Sequence, residues 1–181
     1  MSADLYLSDI RARFRDYKDL AEKALAQVDD EAFFRPLDRE ANSLAVLVKH
    51  MAGNLRSRWT NFLDSDGEKP DRFRDTEFLV DGADSRESLM SRWESGWAIL
   101  FRTLESLTAD DLPKTIVIRT QPHTVVSAIN RQYAHAAYHV GQMIVIARHW
   151  VGDKWGYLSV PPGKSEEFNR KLGLPGNEPS K

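Results

Sequence analysis

From Gln132 to Ala147 the chain reads "QYAHAAYHVGQMIVIA", with no aspartate, glutamate, lysine or arginine. A helix this apolar is expected to be buried on most of its sides, so the rest of the chain must supply the elements that cover it. Two histidines, His135 and His139, lie inside the run. An imidazole buried without a partner costs about 1–3 kcal/mol, so both rings need something to bind.

The covering elements are visible as periodic stripes. Leu7, Ile10, Phe14, Tyr17, Ala21, Ala24 and Val28 recur at helical spacing over residues 4–28. "EAFFRPLDREANS" breaks that pattern at Pro36. Asn42 or Ser43 then caps a second helix whose stripe runs from Leu44 to Trp59 and Phe62, with a stop near "DSDGEKP". Residues 64–83 have few periodic apolar positions and are expected to form a long polar loop.

A third helix starts at Asp84 or Ser85 and carries Leu89, Trp93, Trp97, Leu100, Leu104 and Leu107. Alternating β-branched residues in "KTIVIRTQPHT" predict a short strand or extended connector over Thr115–Arg119. Thr124 caps the fourth long helix, which runs to about Trp150; a short helix capped by Ser165 follows. Four long helices with little strand predict an all-α, up-and-down four-helix bundle over residues 1–175, with 176–181 as a polar tail.

Composition removes several functions. There is no cysteine, hence no disulfide, no thiolate metal site and no protein thiol nucleophile. A net charge of −2, with no basic helix, argues against a nucleic-acid binder. No segment approaches the roughly 20 apolar residues that span a bilayer, and "MSADLYLSDIRARF" is charged throughout. The expectation is a cytoplasmic protein with no membrane partner.

A metal ion is the sharpest answer to the histidine question. Residues at i and i+4 on a helix place their Cβ atoms roughly 5–6 Å apart, close enough for two imidazoles to converge on one cation. The competing answer is packing, with each ring bonded to a neighbour. His50 in "LVKHMAGN" is the only histidine on the other three long helices and is the candidate third ligand. Three neutral imidazoles suit zinc, nickel or iron(II) and leave coordination positions open. His123 is read as a turn residue and His149 as a helix-terminal one.

Around the triad, Gln132, Tyr138 and Gln142 are candidates for orienting the ligands or polarising a substrate. Asn54 and Arg58 continue the His50 side of the second helix. Arg72, Arg74 and Asp75 of the long loop could reach over the site, the arginines clamping a carboxylate or phosphate; equally, these charges could pair to order the loop. Trp155 and Tyr157 could wall the pocket, cap the core or form a dimer surface.

His50 together with "HAAYH" resembles the metal triad of the DinB/YfiT-like superfamily of four-helix bundles. The stretches "HMAGNLRSRWTNFLDSDGEKPDRFRDTEF" (50–78), "INRQYAHAAYHVGQ" (129–142) and "WGYLSVPPGKSEEFN" (155–169) resemble an uncharacterised branch of it. The resemblance implies the bundle, a divalent metal on His50, His135 and His139, and a homodimer. At superfamily level it implies a metal-dependent transferase that activates a low-molecular-weight thiol, such as bacillithiol, mycothiol or glutathione, against an electrophilic substrate. Activation of water, as in a hydrolase, is the variant of the same chemistry. The alternative is a non-catalytic metal-binding stress or interaction protein in which the ion is structural.

Overall fold

The computed structural model describes residues 2–174, so the predicted polar tail at 176–181 lies outside the described residues. The chain is mostly helical. Helix α1 (Ala3–Leu25) is capped by Ser2, and its buried face carries Leu7, Ile10, Phe14, Ala21 and Ala24. Where the sequence predicts only a break, a second helix, α2 (Asp30–Phe34), forms. Asp29 caps it by accepting from Ala32 N at 2.8 Å, and Phe33 anchors it in the core.

Helix α3 (Leu44–Trp59) starts at Ser43, whose Oγ accepts from Val46 N at 3.2 Å. It ends before Phe62, because Asn61 takes a left-handed conformation (φ 48°) and turns the chain; Phe62 stays buried, stacked on Trp59. Helix α4 (Arg86–Ser106) opens on a capping box between Ser85 and Ser88. Helix α5 (Val125–Val151) is capped by Thr124. The last helix, α6 (Ser165–Lys171), departs from expectation: Ser165 is its first residue rather than its cap, and Lys164 precedes it with no side-chain cap bond.

Between α4 and α5 the predicted single strand is a hairpin, β1 (Thr115–Ile118) with β2 (Gln121–Thr124), paired antiparallel from Thr115–Thr124 to Ile118–Gln121. His123 is therefore a strand residue opposite Ile116, not a turn residue.

Helix α3 packs along α4 and α1 along α5, with α3 also meeting α5. Gly96 permits the first of these contacts. A Cβ there would stand 3.1 Å from Ala52 O and 3.2 Å from Leu55 Cβ. Phe14 sits edge-on to Trp59, Trp97 and Tyr133 at centroid distances of 6.5, 6.3 and 5.8 Å, joining all four long helices around one aromatic cluster.

The charge-free segment of α5 is not buried on most sides as expected. Tyr138 is 52% and Val145 63% exposed, so the helix is amphipathic in burial although not in charge. Among the described residues, no helix is long and apolar enough to cross a membrane.

The 64–83 segment is anchored rather than loose. Ser57 Oγ of α3 donates to Gly67 O at 2.9 Å and accepts from Lys69 N at 3.0 Å. Gly67 N donates to Val117 O of β1 at 2.8 Å. These bonds fold the segment back over α3, where it forms a 3₁₀ turn at Arg74–Phe78.

Candidate metal centre

Helix α3 presents His50 and helix α5 presents His135 and His139, one turn apart. One ring nitrogen of each lies within 4.8 Å of the other two. His50 Nε2 is 3.4 Å from His135 Nε2. His50 and His139 are 4% and 5% exposed, so water cannot satisfy these rings from outside.

The outward nitrogens of two rings are fixed. His50 Nδ1–H donates to Glu77 Oε2 at 2.9 Å, and His139 Nδ1–H donates to Gln142 Oε1 at 3.0 Å. These acceptors select the tautomer that leaves Nε2 unprotonated on both rings. His139 Nε2 and His135 Nδ1 are buried with no protein partner.

Electrostatics keep His135 and His139 neutral. Burial, with the neighbouring His139 and His50 rings and two arginines, pushes His135 down to about 3. Burial also pushes His139 down to about 4, against the opposing bond to Gln142. Imidazoles with converging nitrogens, His139 Nε2 among them unprotonated and unpaired among the described residues, suit a transition-metal ion. The three buried histidines could hold such an ion.

Glu77, absent from the sequence expectation, is the residue that links the loop to the triad. Arg72 grips it twice, Nε to Oε1 and Nη2 to Oε2, both at 2.8 Å. Burial raises the Glu77 carboxyl, but Arg72 and His50 outweigh it and hold the group below the usual carboxylate range. The approach depends on Gly53: a Cβ there would lie 2.1 Å from Glu77 Oε1. Phe78 follows Glu77 in sequence and lies against the His50 ring at a centroid distance of 4.9 Å.

A cleft of about 360 Å³ opens beside His50 and His135. Its wall includes Asn54, Arg58, Arg72, Arg74, Gln132 and Tyr138, all singled out from sequence. Gln142 stands apart, behind His139, and opens on a separate groove with Leu37 and Val145. Arg72 and Arg58 are engaged in a buried network: Arg58 Nη1 lies 2.9 Å and Arg72 Nη1 3.5 Å from Glu68 Oε2. Of the two expectations for the loop charges, Arg72 follows the ordering one, and Arg58 of α3 joins it there.

Asp75 does not reach the site. Its side chain is 99% exposed and touches only Arg74, at 3.6 Å. Trp155 packs on the core and Tyr157 lies under Arg148, so neither walls the cleft. Two arginines that the sequence reading passed over, Arg119 and Arg131, do.

A mostly helical chain with a buried three-histidine group beside a cationic cleft is the class that fold and site define. The family described as "Protein of unknown function (DUF1572)" matches residues 1–164, and the chain belongs to it. No curated protein and no solved structure matches the chain.

Proposed function

We propose that the protein is a divalent-metal protein of the DinB/YfiT-like superfamily, an up-and-down four-helix bundle whose ion is held by His50, His135 and His139. The observation that carries this reading is the convergence of three imidazoles from two helices, two of them with buried nitrogens unpaired among the described residues. When bound, a divalent ion supplies Lewis acidity that makes a nucleophile of a small thiol or of water near neutral pH. Zinc, nickel and iron(II) all suit three nitrogen ligands.

The remaining residues would bind and orient. Glu77 and Gln142 hold His50 and His139 by their outer nitrogens, as acceptors behind metal-ligating histidines commonly do. The cleft reaches His50 and His135 and so gives a substrate access to one side of the group. Because the chain has no cysteine, a thiol must arrive as a cosubstrate, and the leading reaction is thiol transfer to an electrophile, with hydrolysis as its variant. The superfamily reading carries a homodimer with it.

The test is the metal content of protein purified without an affinity tag, beside His50→Ala and His135→Ala. Stoichiometric metal in the wild type, lost in both variants with helical circular dichroism retained, is the expected result. Metal-free wild-type protein that stays so after incubation with zinc, nickel and iron(II) would sink the reading. Turnover is then sought with electrophiles and several small thiols. A tightly held ion with no turnover, whose removal unfolds the chain, would select the structural-ion alternative.

A further inference from the structure

Five arginines, Arg58, Arg72, Arg74, Arg119 and Arg131, line the cleft, and no aspartate or glutamate does. The carboxylates that pair with them are Glu68, Glu77 and Asp75, leaving a surplus of two positive charges. Asp66, whose oxygens accept from three backbone amides, also acts on Arg58 and lowers that surplus to one positive charge. Arg58 and Arg72 are buried in the network described above. The other three are available. Arg131 makes no ion pair among the described residues, Arg74 meets only the exposed Asp75, and Arg119 touches Glu68 through Nε alone while half exposed.

The placement of Arg119 is built rather than incidental. Arg119 and Thr120 form the two-residue turn of the hairpin, both left-handed at φ 51° and 64°. Such conformations cost non-glycine residues about 1–3 kcal/mol each. Asp66 holds them there by accepting from Arg119 N and Thr120 N, each at 2.8 Å. The cleft wall also contains two buried donors with no protein acceptor, Trp59 Nε1 and Gln132 Nε2. Trp59, Phe62 and Ile118 give it an apolar side.

We propose that this cleft binds a small organic anion, its carboxylate or phosphate held by Arg74, Arg119 and Arg131 and its apolar body against Trp59, Phe62 and Ile118. This names a substrate class for the site proposed above. It rests on that reading only in placing the anion beside an ion; the anion contact stands without metal. The volume falls within the range of small-molecule pockets, about 300–1,000 Å³. Guanidinium groups in excess over carboxylates at the mouth favour an anionic oxygen group.

Isothermal titration of metal-free protein with 3-phenylpropionate, phenyl phosphate and the neutral 3-phenylpropan-1-ol tests the proposal. At least one anion should bind, about tenfold or more tighter than the alcohol, and more weakly as salt rises. The tighter of the two identifies the group recognised. Arg119→Gln with Arg131→Gln should weaken binding about tenfold or more, whereas Arg148→Gln, away from the cleft, should not change it. Both cleft arginines are exposed, so the variants are expected to fold, which circular dichroism checks. Equal affinity for acid and alcohol, an unaffected double variant, or binding of an anion only after zinc is added would overturn the proposal. A chain that never takes metal but still binds the anion would refute the metal reading alone.

Discussion

The aromatic cluster around Phe14, Trp93 and Trp97 and the polar layer from His50 through Glu77 to Arg72 are both almost closed to solvent, yet burial means opposite things in them. In the cluster Phe14, Trp93 and Trp97 are fully buried and mainly apolar, so the apolar area they remove from water stabilises the fold. In the polar layer each buried charge is a desolvation cost that its partner at best offsets. The cluster is explained by stability. The polar layer is not; it orders the segment that covers the histidines, beside the proposed site.

Breaking the cluster should give the largest effect. Trp97→Ala is expected to cost about 3–5 kcal/mol in urea unfolding, with metal content per folded molecule unchanged. Arg72→Met, which leaves Glu77 buried against His50 alone, should cost about 3 kcal/mol, the low end for one broken partner of a buried pair. The paired change Arg72→Met with Glu77→Met should recover most of that loss, because both buried charges leave together. Recovery there, against none for any second change beside Trp97→Ala, is the difference between the two regions made measurable.

Smaller effects sharpen it. Glu77→Gln should lower metal affinity about 10- to 100-fold, as removal of an acceptor behind a ligating histidine does, while moving stability far less than Trp97→Ala. Gly53→Ala should reproduce that affinity loss by displacing the carboxylate, even though alanine gains about 1 kcal/mol of helix propensity over glycine. A competition titration against a chelator reads both. An undiminished affinity in Gly53→Ala would show that the Glu77 contact is dispensable.

The remaining effect is pH-dependent and belongs to the metal-free protein. His135 and His139 are depressed to about 3 and about 4 from an ordinary 6.5, so the unfolded chain takes up protons before the folded one. From this source stability is full above about pH 6.5 and falls as the pH drops through the window down to about 3. Urea midpoints across that window should decline in the wild type and decline less in His135→Phe. No such decline is expected from the aromatic cluster.

The same contrast explains what could be read in the sequence. The long helices announce themselves through apolar spacing, and Ser43, Ser85 and Thr124 cap them because a cap is a contact within three residues. The three histidines were legible as a group because two share a turn and the third stands alone on its helix. Helix α2 was not, since five residues are held by Phe33 reaching the core. Strand β2 contains Pro122 and only four residues, too few for a period to show. Glu77 was missed because its partner is 27 residues away and its place depends on a missing Cβ at Gly53; the one local signal is the adjacent Phe78, an apolar anchor in a polar stretch. The exposed side of α5 shows the reverse error, in which absence of charge was read as absence of solvent.

Asp66 reaches from the segment after α3 to the tip of the hairpin and holds the amides of Glu68, Arg119 and Thr120 in one carboxylate. Those three protons can meet solvent only when that carboxylate lets go. Their hydrogen exchange should therefore speed up together when Asp66 is replaced by alanine.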